Sequence, residues 1–334
     1  MQQESENHLT APEVGVLWAQ YVNATLTNCM YKYFLAQNED KDIGQVIDSI
    51  QQVTQNKIQR NSKLLQSDNY PMPIGFTDND VNTDAPRLYS DSFFLSYIRN
   101  ISRLGLATYA LALTTSVRQD VRKHFNQCIT DLIQIDEKAV QVEQAKGFYG
   151  RSPYISPPEK TEYIQDTDFF GSFFGSQRPL IAIEIANIYL CSQKNMMSKA
   201  LLMGFAQVAE SRELRKFFLR GKEIVDKHIK IHASLLTNSD IPTPASLDSE
   251  VTNSTSAPFS DKLMLHHTIL ASQAALTYYG TTLAFIQRVD ISGSYIRLMT
   301  ETSQYLEDAC MLMIKHKWME QPPMSADRRA LVLR

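Results

Sequence analysis

The residues of this chain best suited to chemistry are histidines and acids in its second half. His228 and His232 stand four residues apart, a spacing that puts both on one face of a helix. His266 and His267 open a further helical segment, Glu307 lies on the next one, and Glu184 lies near the start of the first. A set of two imidazoles and a carboxylate suits iron, manganese or zinc. In a bundle that gathers these helix ends, a rise of about 1.5 Å per residue puts His232 and His266 on the order of 10 Å from the end and His228 and Glu307 nearer 15 Å. Those depths fit one site or two overlapping tiers. They fit equally a set of interior polar residues satisfied by Glu307 or by water, as buried polar groups must be. The Glu-x-x-His pair that supplies ligands to di-iron helical bundles is absent.

Other catalytic signatures are missing too. The sequence has no phosphate-cradling glycine loop, His-Glu-x-x-His, Cys-x-x-Cys or Gly-x-Ser-x-Gly. Lys plus Arg number 33 against 36 Asp plus Glu, which gives no electrostatic case for nucleic acid or an anionic membrane surface. Cys29, Cys128, Cys191 and Cys310 stand singly in apolar patterns, as buried reduced thiols do. The polar start Met1–His8 carries no signal-peptide pattern, and no apolar run approaches the ~20 residues of a membrane span. A cytoplasmic or spore-associated location is expected.

The elements that must position these residues are written twice. Glu13 recurs as Glu184, and Lys57 through Leu65 aligns with His228 through Leu236, at an offset of 171. After the loops Pro71-Met-Pro73 and Pro242-Thr-Pro244 the offset becomes 170, matching Ser90-Asp91 to Ser260-Asp261, Tyr109 to Tyr279 and Glu137 to Glu307. Each copy reads as four helical segments, roughly 11–37, 40–67, 90–118 and 121–147, then 181–209, 211–238, 260–288 and 291–317. About twenty residues separate the second and third segments, which is the crossover of a ferritin-like unit. The expected architecture is all-α: two tandem ferritin-like four-helix bundles over 9–150 and 180–320, an aromatic, Gly- and Pro-rich linker over 151–179, and a tail over 321–334. The linker aromatics, among them Tyr154 and Phe169-Phe170-Gly171-Ser-Phe173-Phe174-Gly175, are expected to seal a bundle end.

Each copy is a control for the other. His228, His232 and His266 correspond to Lys57, Asn61 and Ser96, whereas the acids remain in both. Any metal site is therefore expected in the second bundle alone. Arg118-Gln-Asp120 and Arg288-Val-Asp290, present in both copies, are expected to make local ion pairs at the turn before the fourth helix.

The Pro-x-Pro loops, Ala85-Pro86-Arg-Leu-Tyr-Ser-Asp91, Ala257-Pro258-Phe-Ser-Asp-Lys-Leu-Met264, Gly204-Phe-Ala-Gln-Val-Ala209 and Trp318-Met-Glu-Gln-Pro-Pro resemble a family of spore-forming Gram-positive bacteria, domain of unknown function 3231. Individual bundles are similar to spore coat protein F. The resemblance implies a ferritin-like fold, no established activity, and histidines at the positions of Lys57 and Ser96, where this sequence departs. His228 and His266 match the pattern. The first expectation is a non-enzymatic protein of sporulation or the spore coat, with coat proteins or a second copy as partner. The second is a metal-binding protein or metal-dependent oxidoreductase using His228, His266 and Glu307, supported by His232 and Glu184.

Overall fold

The computed structural model describes residues 8–172 and 177–332. Phe173, Phe174 and Gly175 of the linker lie outside the described residues. Eight long helices make two bundles: α1 (Ala11–Gln37), α2 (Lys41–Gln66), α3 (Asp91–Thr115) and α4 (Gln119–Ala145), then α5 (Ala182–Val208), α6 (Arg212–Thr237), α7 (Asp261–Phe285) and α8 (Val289–Lys315). A short α9 (Arg328–Val332) follows. Among the described residues there is no β-strand, and the long connection in each bundle joins its second helix to its third.

Residues kept in both copies close the helix ends. Ser90 and Ser260 cap α3 and α7, their hydroxyls accepting from the Phe93 and Leu263 amides. The adjacent Asp91 accepts the Glu39 and Asp40 amides before α2, and Asp261 accepts those of Glu210 and Ser211 before α6. Arg118 pairs with Asp120 and Arg288 with Asp290, each at 2.8 Å, as the sequence predicts. All four cysteines are free thiols.

The two bundles are joined through their crossovers in a way the sequence reading does not foresee. Val81 bridges Phe259 and Tyr89 bridges Val251, both antiparallel. The hydrogen bonds come in symmetry-related pairs. Asn82 N donates to Pro258 O (2.8 Å) and its repeat-equivalent Thr252 N to Leu88 O (2.9 Å). Ser90 N donates to Glu250 O and Ser260 N to Asp80 O, both at 3.0 Å. The cap hydroxyls of Ser90 and Ser260 reach the carboxylates of Glu250 and Asp80. Each bundle thus clamps the third helix of the other, the self-complementary pattern of a two-fold dimer carried within one chain.

Packing follows the same symmetry. Tyr97 and His267 occupy equivalent positions and meet each other, with the phenol 2.7 Å from Nε2. Tyr89 lies over Gly204, where a Cβ would overlap the phenol, and its hydroxyl donates to Leu201 O at 3.1 Å. The equivalent pair is Tyr33 against Phe259, with ring centroids 5.1 Å apart. The large residue has changed sides, so the volume at the junction is conserved. One apolar core runs from α1 and α3 into α5 and α7, and smaller clusters fill the two outer ends.

The linker corrects one expectation. Tyr154 is 82% exposed and Phe170 49% exposed, so these two aromatics do not seal a bundle. Phe169 instead lies under Arg178, 4.1 Å from ring centroid to guanidinium carbon.

Candidate functional site

The acids kept in both copies have a common task. Glu13 accepts the Thr10 amide at its own helix start and, through its other oxygen, the Val117 and Arg118 amides before α4, all at 2.8 Å. Glu184 does the same with Ile181 (3.1 Å), Gln287 (3.1 Å) and Arg288 (3.3 Å). Each carboxylate ties the N-terminus of a first helix to that of a fourth, where helix dipoles favour negative charge. Glu184 also takes a bidentate pair from Arg178 at 2.8 and 2.9 Å. Burial pushes the Glu184 carboxyl up, but the Arg178, Ile181 and Gln287 bonds outweigh it and hold the group below its ordinary value. Glu184 is thus engaged at the bundle end.

The interior of the second bundle holds a connected polar chain. Asn195 on α5 donates to the Tyr279 hydroxyl at 2.7 Å, that hydroxyl lies 3.1 Å from His228 Nδ1, and His228 Nε2 lies 2.9 Å from Glu301. Glu301, half-buried at the rim, also pairs with Lys227. Burial pushes the His228 imidazole down, and Glu301 opposes that shift. His232, fully buried one turn along, stacks on Tyr295 and has its Nδ1 3.5 Å from the Asn195 amide. Among the described residues its Nε2 has no hydrogen-bond partner, and burial pushes its pKa down to about 3. A cavity of about 40 Å³ runs from Asn195, His228 and Tyr279 toward His267, room for two or three waters at about 10–15 Å³ each.

The other candidates do not join this chain. Glu307 is exposed because α8 buries Leu298, Thr302, Tyr305, Ala309 and Met313, and a residue two beyond Tyr305 lies about 200° round the helix. Its copy Glu137 is exposed as well. The acid that meets His228 is Glu301, which sits beside the inward Thr302. His266 packs on Phe76 in the junction between the bundles, with ring centroids 5.3 Å apart, while its neighbour His267 takes the interior position. Of the five predicted residues, the structure brings together only His228 and His232.

The first bundle also has an interior histidine, at a position the sequence reading does not single out. His124 on α4, 4% exposed, bonds to Gln20, which also accepts from Asn61 at 3.0 Å. Burial pushes its pKa to about 3. Lys57, in the place of His228, keeps that residue's bond by donating to the Tyr109 hydroxyl at 3.3 Å. Both bundles therefore carry an interior polar layer built from different residues. The sequence signal for His124 was its place among Val121, Phe125, Cys128 and Leu132, which line the buried face of α4.

The ferritin-like unit expected from the sequence would call for a di-metal carboxylate centre, and these residues do not fit one. Glu-x-x-His is missing, Glu13 and Glu184 cap helices, and among the described residues no three His, Cys, Asp or Glu side chains are grouped to hold an ion. Also among the described residues, no helix is long and apolar enough to cross a membrane.

A family model described as protein of unknown function (DUF3231) matches residues 2–161 and 168–331, covering both repeats. A solved structure provisionally described as a spore coat protein, from Bacillus halodurans C-125, is 22% identical, with a TM-score of 0.38, over 47% of this chain and 99% of its own. No curated protein matches the chain.

Proposed function

Because the chain belongs to the DUF3231 family, proteins of unknown function, we propose its role from its geometry and its resemblances: a non-enzymatic, duplicated ferritin-like protein that serves as a structural component in sporulation, at the spore coat. The observation that carries the structural role is the dispersal of the candidate site. Glu184 caps helices, Glu307 faces solvent, His266 lies in the junction, and His228 is bonded to Tyr279 and Glu301. The spore setting rests on the motif resemblance of both repeats. The protein is made in the cytoplasm and joins coat proteins or a second copy of itself. A fluorescent fusion followed through sporulation tests this. The account expects signal at the forespore, and uniform signal in vegetative cells with none at the forespore contradicts it.

The alternative is a metal-binding protein or metal-dependent oxidoreductase. One observation favours it, the unpartnered Nε2 of buried His232 one turn from His228 and Glu301. Elemental analysis of protein purified without an affinity tag separates the readings. The structural reading expects less than about a tenth of an equivalent of iron, manganese or zinc after reconstitution. A full equivalent, lost in His228→Ala and kept in Lys57→Ala, supports the metal.

A further inference from the structure

Two clefts flank the junction of the bundles, and the repeat offsets map one onto the other. Trp18, Asn23, Ile269, Gln273, Met313 and Trp318 line a cavity of about 280 Å³. At the equivalent positions Tyr189, Lys194, Arg99, Arg103, Glu143 and Phe148 line a cavity of about 140 Å³. The fold thus builds this cleft without charge at those positions, so the three cations of the second cleft are not demanded by the architecture.

The cations are also unequally committed. Arg99 pairs with Glu143, approaches Asp136 at 3.6 Å, and lies over the Tyr149 ring at 4.7 Å. Lys194, 4% exposed, donates to the Ala271 carbonyl at 2.9 Å and has no carboxylate partner among the described residues. Arg103 is half-buried and makes no hydrogen bond or ion pair with any described residue. Tyr278 connects the two, lying 5.8 Å from Lys194 Nζ and acting electrostatically on Arg103. Burial is the largest influence on both groups and lowers them, Lys194 to about 8, although the Asp136 and Glu143 carboxylates act on Arg103 in the opposite sense.

The neutral cleft meanwhile contains a carboxylate from its own chain. Glu320 enters beside Trp318 and accepts the Ile74 and Gly75 amides, both at 2.7 Å. The residue in its place in the charged cleft is Gly150. The first cleft, lined also by Lys262, therefore holds one cation against one anion, whereas the second has three cations against Glu143 and an open position.

We propose that the cleft between the bundles is a binding site for a small oxyanion, a phosphate or carboxylate group held between Arg103 and Lys194. The guanidinium offers the planar donor fork that such groups accept, and the Lys194 ammonium supplies a second charge. The cavity is about ten times what one water needs, at about 10–15 Å³, which admits a phosphate group.

Isothermal titration of the full chain with inorganic phosphate, and separately with acetate, at fixed ionic strength tests this. Arg103→Gln and Lys194→Asn install the residues of the neutral cleft, and Arg103→Gln alters a half-buried side chain that makes no hydrogen bond or ion pair with any described residue. The expected result is saturable one-site binding of at least one anion, weakened about tenfold or more in each variant. Which anion responds identifies the group as phosphoryl or carboxyl. No saturable binding of either, or unchanged affinity in folded Arg103→Gln, overturns the proposal.

Discussion

Lowering the pH from 7.5 to 5 is expected to remove about 6 kcal/mol of folding stability. His124, His232 and His267 are 4%, 0% and 3% exposed, and burial holds each neutral down to about pH 3. In the unfolded chain each takes a proton near pH 6.5. The stability linked to each is therefore complete above that value and is lost as the pH falls toward the folded pKa. At pH 5 the loss is about 2 kcal/mol per residue, and three residues give the total, against a whole-protein stability of about 5–15 kcal/mol. His266, lowered to about 4 by burial, adds to this loss, and Glu143, raised by desolvation, opposes it in part. Urea midpoints at the two pH values measure the effect. His232→Asn, which installs the residue of the first bundle, is expected to reduce the pH dependence by about a third. A wild-type loss below about 1 kcal/mol would show that these imidazoles are not held neutral.

Replacing Glu184 by alanine is expected to cost about 3–5 kcal/mol. The carboxylate is 0% exposed, and its removal leaves Arg178 without its charge partner and three amides without their acceptor. Glu13→Ala, with no arginine to strand, should cost about 1–3 kcal/mol. Both carboxyls are held below their ordinary value of 4.5, so their contribution is complete above that pH and is lost as pH falls through the folded value. Denaturation midpoints at pH 7 and pH 4 measure both. An alanine cost below about 1 kcal/mol at Glu184 contradicts the clamp, because even one lost charged hydrogen bond exceeds that.

The helices and their crossovers were legible because they depend on local signals: caps, turn prolines and apolar periodicity repeated in two copies. Ser90-Asp91 and Arg118-Gln-Asp120 could be recognised as structural for the same reason. The site was less legible. The depth of Glu307 along α8 suits a site but its angle does not, since Tyr305 and Ala309 on either side mark the opposite face as inward. His124 carries no such signal of a site, because no second histidine lies near it in sequence and its partner Gln20, with Asn61 bonded to that, comes from another helix. The reciprocal hold of Asp80 on Ser260 and Glu250 on Ser90 spans 180 and 160 residues, and its acids are ordinary loop residues until the fold brings them together.

That reciprocal hold, with the core that crosses it, makes the duplicated halves one cooperative body. Scanning calorimetry of Glu184→Ala is the direct test, since the substitution lies at the outer end of the second bundle. The account predicts one transition, shifted as a whole, with the first bundle melting together with the second. Two transitions, one of them at the wild-type temperature, would show that the bundles fold independently and that their junction is only a contact.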